Sequence, residues 1–277
     1  MEPVDVLRTS FPTLRFEEVS VVDEGWDSLV LELDGTWIFR FPRRPEVAAR
    51  MEREITLVSE LAAALPVAVP RFEYVARNGL LCVGYRKLAG SPARFGLTER
   101  TGRDLGRFLL ALHATPHGQA AAAGVPNLGP WAWREGLEKL CADFRCRVLP
   151  LLPERDRADG ERLLAAIPEP AFRPALIHAD LGPDHVLCHE GRVVGVIDWS
   201  DARVGDPALD LAWCLNGTPR EVADAVLGAY PVDERLRERS LFYHRLGPWY
   251  EVVHGLETGQ EAFVASGVAG IRARLSA

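Results

Sequence analysis

Asp180, His185 and Asp198 are the side chains of this sequence whose types and spacing could do chemistry together. They lie in 176–213, LIHADLGPDHVLCHEGRVVGVIDWSDARVGDPALDLAW, where two apolar strands, 186–189 and 192–197, flank Glu190-Gly191. A two-residue turn there makes facing residue numbers sum to 381, which sets His185 opposite Val196. Asp198, two residues further on, then points to the same face. Asp180 sits in the loop before, where Gly182 and Pro183 forbid a regular helix. Two carboxylates and an imidazole at one strand end suit a divalent metal or a proton transfer. Taken singly, each is more often a solvated loop residue. Three set side by side by one hairpin are harder to dismiss.

A second pair comes from a helix expected over 46–65. At about 100° per residue, Val47, Met51, Ile55, Val58, Leu61, Ala62 and Leu65 form one stripe. Glu54 falls in the middle of it, whereas Glu52 and Glu60 face away. A carboxylate on a buried stripe is costly unless a cation meets it. The nearest candidate is Arg40, on the preceding strand. A purely structural salt bridge would explain the pair as well.

These residues need elements to hold them. Residues 1–90 read as strands at 16–22, 28–33, 36–41, 71–77 and 80–85 around that one helix. Asp34-Gly35 and Asn78-Gly79 mark two hairpins. From about 98 the pattern turns helical, over 98–114, 131–149, 158–166, 207–216, 219–229, 233–256 and 260–275. Short strands fall at 175–177, 186–189 and 192–197. The Ala run 120–123 reads as a loop or a frayed helix end, and the remaining histidines, His113 among them, as ordinary. Asp206 before Pro207 fits a helix N-cap, and Asp210 a structural helix residue.

Composition narrows the class. The 277 residues carry a net charge of −7, so the basic surplus of a nucleic-acid binder is missing. The charge is spread evenly, net −3 over residues 1–90 and −4 over the rest, and assigns no substrate to either half. Five cysteines without a C-x-x-C fit reduced thiols better than a disulfide framework or a zinc site. No apolar run is long enough to span a bilayer and the first residues lack an export signal, so a cytoplasmic protein with no membrane partner is expected.

His178-x-Asp180-x-x-x-x-His185 followed by Ile197-Asp198 resembles the catalytic loop and metal motif of the aminoglycoside phosphotransferase family, antibiotic kinases related to the protein kinases. The usual loop ends in Asn; His185 here is similar to the 2''-aminoglycoside and macrolide kinase branches. G-W-D at 25–27, W-I-F-R-F-P-R-R at 37–44 and G-D-P-A-L-D-L-A-W at 205–213 extend the resemblance over nearly the whole chain. It implies an α+β, bilobal, protein-kinase-like fold: a nucleotide-binding lobe over 1–86 with a small antiparallel sheet, and a mainly helical catalytic and substrate-binding lobe over 87–277.

The resemblance further implies that Asp180 accepts or orients the proton of a substrate hydroxyl, while His185 and Asp198 hold Mg²⁺ against the phosphates of ATP or GTP. Imidazole is an unusual ligand for a hard cation, so His185 binds through water or orients Asp180 instead. Arg40, where many relatives have Lys, would touch the α/β-phosphates with Glu54 as its partner. Gly25 and Ser28 would belong to the nucleotide-covering loop, Tyr85 to the connector whose backbone meets the purine, and Ile197 to the nucleotide site. Asp201, Trp249, Tyr250 and Glu251 would line the acceptor site, where acids and flat aromatics suit a polyamine sugar. The expected acceptor is an aminoglycoside, giving resistance, and the expected enzyme a monomer. A macrolide, another small molecule, or a nucleotide-binding module without catalysis are the alternatives.

Overall fold

The computed structural model describes residues 2–23, 27–78 and 81–276. The first five strands, β1 (Val19–Asp23), β2 (Ser28–Leu33), β3 (Trp37–Pro42), β4 (Phe72–Ala76) and β5 (Cys82–Arg86), form one antiparallel sheet in the order β1-β2-β3-β5-β4. Asp34 and Gly35 both take left-handed φ angles, 50° and 63°, as the Asp-Gly hairpin requires. In the Asn78-Gly79 hairpin, Gly79 lies outside the described residues.

Strand register divides the sheet into two faces. Leu31 pairs with Phe39 and Leu29 with Phe41. Their shared face packs under helix α1 (Pro3–Ser10), which the sequence pattern did not announce, through Val6 and Leu7. Gly84 faces Phe39, and a methyl there would lie 2.3 Å from the ring, so glycine is what lets Phe39 lie flat on the sheet. Val30 pairs with Arg40, Arg40 with Val83 and Ile38 with Tyr85, so these side chains share the opposite face. Helix α2 (Pro45–Leu61) buries Val47, Met51, Glu54, Leu57, Val58 and Leu61. It stops four residues earlier than expected, in a turn before Pro66.

The larger body contains β6 (Ser91–Pro92), α3 (Glu99–His113), α4 (His117–Ala122), α5 (Pro130–Arg147), α6 (Glu154–Ala165), β7 (Ala175–Ile177), β8 (Val186–His189), β9 (Arg192–Val196), β10 (Arg203–Gly205), α7 (Ala208–Asn216), α8 (Arg220–Ala229), α9 (Glu234–Thr258) and α10 (Glu261–Leu275). The Ala run is thus a short helix, with Ala120 fully buried. The two parts are joined by more than the chain. Ala68 N–H donates to Val194 O (3.1 Å), and Val196 N–H donates to Ala68 O (2.9 Å), which fixes the segment after α2 to β9. No helix among the described residues is long and apolar enough to cross a membrane.

Helices α3 and α8 approach closely because α3 carries Gly102 and Gly106 on one face. A methyl at Gly102 would lie 2.2 Å from the Val222 carbonyl oxygen. Gly102→Ala is therefore expected to cost about 1–3 kcal/mol of stability, the usual penalty of overpacking. Gly136→Ala in α5, where an added methyl meets nothing within 4 Å, should instead add roughly 0.4–1 kcal/mol. Urea unfolding midpoints of the two variants measure both; a neutral Gly102→Ala would contradict the close approach.

Candidate active site

The loop after β7 carries Asp180 and is held from below. Asp210, in the first turn of α7 and fully buried, accepts the His178 amide on Oδ2 and the Ala179 amide on Oδ1, both at 2.8 Å. Ala179 has φ 69°, a left-handed conformation that a non-glycine residue adopts only when its surroundings demand it. His178 is also fully buried; its Nε2 donates to Ile197 O (3.0 Å), and its Nδ1 accepts the Asp180 amide (3.3 Å). Burial holds this imidazole below its ordinary pKa, so it acts as a neutral hydrogen-bonding strut. Asp180 itself is exposed, and its side chain is free of the strut.

The hairpin brings His185 to Asp198, but not by the register expected. Glu190 and Gly191 form the turn with φ 48° and 72°. A bulge between Leu187 and Cys188 then shifts the pairing, so that Val186 faces Val196 and numbers sum to 382 beyond it. His185 therefore lies opposite Ile197, whose amide donates to His185 O at 2.9 Å. Asp198 reaches the same side through its own backbone, at φ 61°. Its Oδ2 is 3.9 Å from His185 Nε2, while His185 Nδ1 donates to Asp180 O at 2.7 Å and lies 3.4 Å from Asp180 Oδ2.

The charges of the trio are unequal. Burial opposes ionisation of Asp198, but Arg40, His185 and the Ser200 hydroxyl together hold its carboxyl far below the usual range. Asp180 is pushed up to about 6, first by desolvation and then by the acids around it, against the pull of His185. His185 is raised despite burial, because Asp180 and Asp198 flank it.

Arg40 crosses from the sheet to both partners. Its NH1 meets Glu54 Oε1 at 2.7 Å and its NH2 meets Asp198 Oδ1 at 3.1 Å. Glu54 Oε1 also accepts the Trp199 amide (3.1 Å), while Oε2 is buried with no partner among the described residues. Ser28, beside Arg40 on the same sheet face, has a buried hydroxyl that is likewise unpartnered among the described residues. Tyr85 does not lie in a connector: it sits inside β5 between Ile38 and Phe72, buried, with its ring edge-on to Phe72. Ile197 is half-buried and both of its backbone groups are engaged, which leaves only its side chain to the cleft. Gly25 lies outside the described residues.

As a metal site the fit is partial. No group of three metal-ligating side chains converges among the described residues. Asp198 Oδ2 and the lone pair of neutral His185 Nε2 do face each other, a donor set that phosphate and water oxygens would have to complete.

On the acceptor side the expected residues separate. Asp201 Oδ1 is engaged by Arg50 (2.9 Å) and Arg203 (3.1 Å). Arg50, on α2, also binds Asp27, the residue before β2. Sequence reasoning passed over Arg50, although it stands four residues before Glu54 and so on the same helix face. Trp249 is not at the surface: it is fully buried, stacked near Phe144 in the helical core. Tyr250 is half-exposed and feels the charges of Arg203, Asp201 and Asp180, with its ring edge-on to Phe144. Glu251 faces the other way, within electrostatic reach of Arg274 on α10.

The model of the phosphotransferase enzyme family matches residues 18–241. Among curated proteins, the chain is 29% identical over 232 residues to the uncharacterized protein YcbJ of Bacillus subtilis (strain 168), covering 76% of this chain and 73% of that one. It is 28% identical to viomycin phosphotransferase of Streptomyces vinaceus over 58% of this chain, and spans only 61% of that relative's length. Among solved structures, the GDP and kanamycin complex of an APH(2'') enzyme superposes with a TM-score of 0.86 at 23% identity, covering 99% and 98% of the two chains. A macrolide 2'-phosphotransferase from Brachybacterium faecium superposes at 0.76 with 26% identity, covering 96% of each.

The geometry around Arg40 has an energetic consequence. Arg40→Met leaves the buried Glu54 facing only the Trp199 amide, and should cost about 3–5 kcal/mol. Glu54→Leu leaves Arg40 its second partner, Asp198, and should cost less. The double variant is expected to be more stable than Arg40→Met alone, read as a double-mutant cycle in urea. Simple additivity of the two costs would show that the pair is not coupled.

Proposed function

The chain belongs to the phosphotransferase enzyme family and is a small-molecule kinase; on that premise we propose that it moves the γ-phosphoryl of ATP or GTP to a hydroxyl of an antibiotic. The observation that carries the proposal is the exposed carboxylate of Asp180, 3.4 Å from His185 Nδ1, with the Arg40–Asp198 pair beyond the other ring nitrogen of His185. A base stands on one side and phosphate-matching charge on the other. In this reading residues 1–86 hold the nucleotide and 87–277 supply Asp180 and the acceptor site.

Asp180 takes or orients the acceptor proton as the acceptor oxygen bonds to the γ-phosphorus. The bond from that phosphorus to the bridging oxygen breaks, and the nucleoside diphosphate leaves. Arg40 meets the α/β-phosphates, and the unpartnered Ser28 hydroxyl has a donor to offer them. Gly25 joins Ser28 by sequence position alone. Val30 and Ile38 above, Ile197 below and Tyr85 behind would enclose the base. Asp198 and His185 would hold Mg²⁺, which when bound supplies neutralisation of the phosphate charge. His185, through its bond to the Asp180 carbonyl, also keeps the loop oriented.

An aminoglycoside is the first acceptor class, supported by the His185 loop variant and by the exposed Tyr250. A macrolide-type acceptor is the second reading, and one observation favours it: Asp201, an acid that would draw a polycation, is already engaged by two arginines. Phosphorylation of either would confer resistance.

Purified protein, ATP or GTP, Mg²⁺ and a panel of kanamycin-like and erythromycin-like compounds test this directly. Phosphorylated product is expected, lost on chelation of Mg²⁺, and Asp180→Asn should lower turnover about 10²–10⁴-fold with folding intact. Product from erythromycin-like compounds alone would establish the second acceptor reading. No product from any acceptor would favour a nucleotide-binding module, and unchanged turnover in Asp180→Asn would remove Asp180 from its role.

A further inference from the structure

One buried chain of hydrogen bonds near the site has no part in the reading above. It begins at Tyr230, the residue after α8, whose hydroxyl is 2.7 Å from His113 Nδ1. His113 is the last residue of α3, and its Nε2 lies 3.2 Å from Asp210 Oδ2. Asp210 in turn clamps the amides of His178 and Ala179. Side-chain exposure of His113 is 6% and that of Asp210 is 0%, so water does not stand in for any member.

The carboxylate of Asp210 has an unusual environment. Among the described residues no arginine or lysine lies within ion-pair distance of it, and His113 is its one side-chain donor within that distance. A buried carboxylate held only by two amides would lack its third partner if the imidazole were lost. The hydrogen-bond directions also agree from end to end. Burial raises the Tyr230 phenol above its ordinary pKa, so it keeps its proton and donates to Nδ1. That leaves Nε2–H to donate to Asp210, and the edge-on packing of the two rings, 5.4 Å apart at 89°, keeps the imidazole oriented.

What Asp210 restrains is the residue before Asp180. Ala179 sits at φ 69°, a strained conformation for a non-glycine residue that both amide bonds to Asp210 must sustain. If Asp210 swings, the turn can relax and the Asp180 carboxylate is displaced. We infer that His113, steadied by Tyr230, is a positioning residue for phosphoryl transfer: it sets Asp210, which sets the strained turn that aims Asp180. The inference rests on Asp180 being the base.

The test compares His113→Phe, which keeps the ring's bulk without its nitrogens, with His113→Gln, whose amide nitrogen can still reach Asp210, and with Tyr230→Phe. A misplacement of the reacting group on the order of 1 Å is worth up to about 100-fold. His113→Phe should therefore lower kcat about 10- to 100-fold with KM for the nucleotide unchanged, since Arg40 and Asp198 are untouched. His113→Gln should recover most of the rate, and Tyr230→Phe should fall between the two. Hydrogen exchange of the 178–180 amides supplies a readout that needs no turnover: faster exchange in His113→Phe, but not in His113→Gln, is expected. Equal losses in His113→Phe and His113→Gln, or unaltered exchange of those amides in His113→Phe, would overturn the inference. If the wild-type protein phosphorylates nothing, the kinase reading of the site fails, and the exchange measurement still decides whether His113 controls the turn.

Discussion

The structure depends most on one buried guanidinium. Arg40 is 7% exposed at its side chain and is held at 2.7 Å by Glu54 and at 3.1 Å by Asp198. Its partners come from both parts of the molecule, Glu54 from α2 and Asp198 from the turn after β9. Burial by itself lowers its pKa, but the two carboxylates hold it above the ordinary value. The pair is a poor source of net stability, since two desolvated charges offset much of their attraction. It is a strong source of specificity. Any other seating of the sheet on the helical body would strand a charge in the interior.

The same logic explains how the site is assembled from distant segments. Glu54 Oε1 accepts the amide of Trp199, so α2 is tied to the residue that follows Asp198. Arg50, one turn earlier, repeats the connection by joining Asp27 to Asp201. One helix face thus carries two charged links to the segment after β9, one to Trp199 and one to Asp201. The backbone bonds between Ala68 and β9 prevent the far end of the helix from lifting away.

Much of this could be read in the chain because it follows from periodicity. Glu54 stood out as an acid in an apolar helical stripe, and its partner had to come from the strand before. The Asp34-Gly35 turn was equally readable, as both residues adopt the φ that pair of types favours. The misreadings have local causes. The register of the β8–β9 hairpin shifts at a bulge, and a glycine in the strand, Gly195, was the available sign of it. His185 and Asp198 meet all the same, because the left-handed Asp198 redirects a side chain that alternation alone would have placed differently. Trp249 was placed at the acceptor site because aromatic residues on a helix do not declare which face is buried. With α7 and α10 both packed on α9, the face bearing Trp249 is interior. Helix α1 is too short and polar for a clear period, and only the sheet face beneath it explains why it forms.

Six aspartates between 180 and 210 would repel one another if left alone, and the fold gives five of them different partners, Asp184 its own in Arg94. Asp198 has Arg40, Asp201 has Arg50 and Arg203, and Asp206 has Arg239 at 2.8 Å and the Tyr243 hydroxyl at 2.9 Å. Asp210 has two amides and an imidazole. Asp180 is the exception: its charged neighbour is His185 alone, itself shared with Asp198. Its pKa is pushed up to about 6, first by desolvation and then by Asp198, Asp201 and Asp210, against the pull of His185. Asp180 meets solvent and has no arginine within ion-pair distance among the described residues. A general base needs a pKa near the working pH and access to its substrate, and Asp180 combines a raised pKa with exposure while the neighbouring arginines are committed to Asp198 and Asp201.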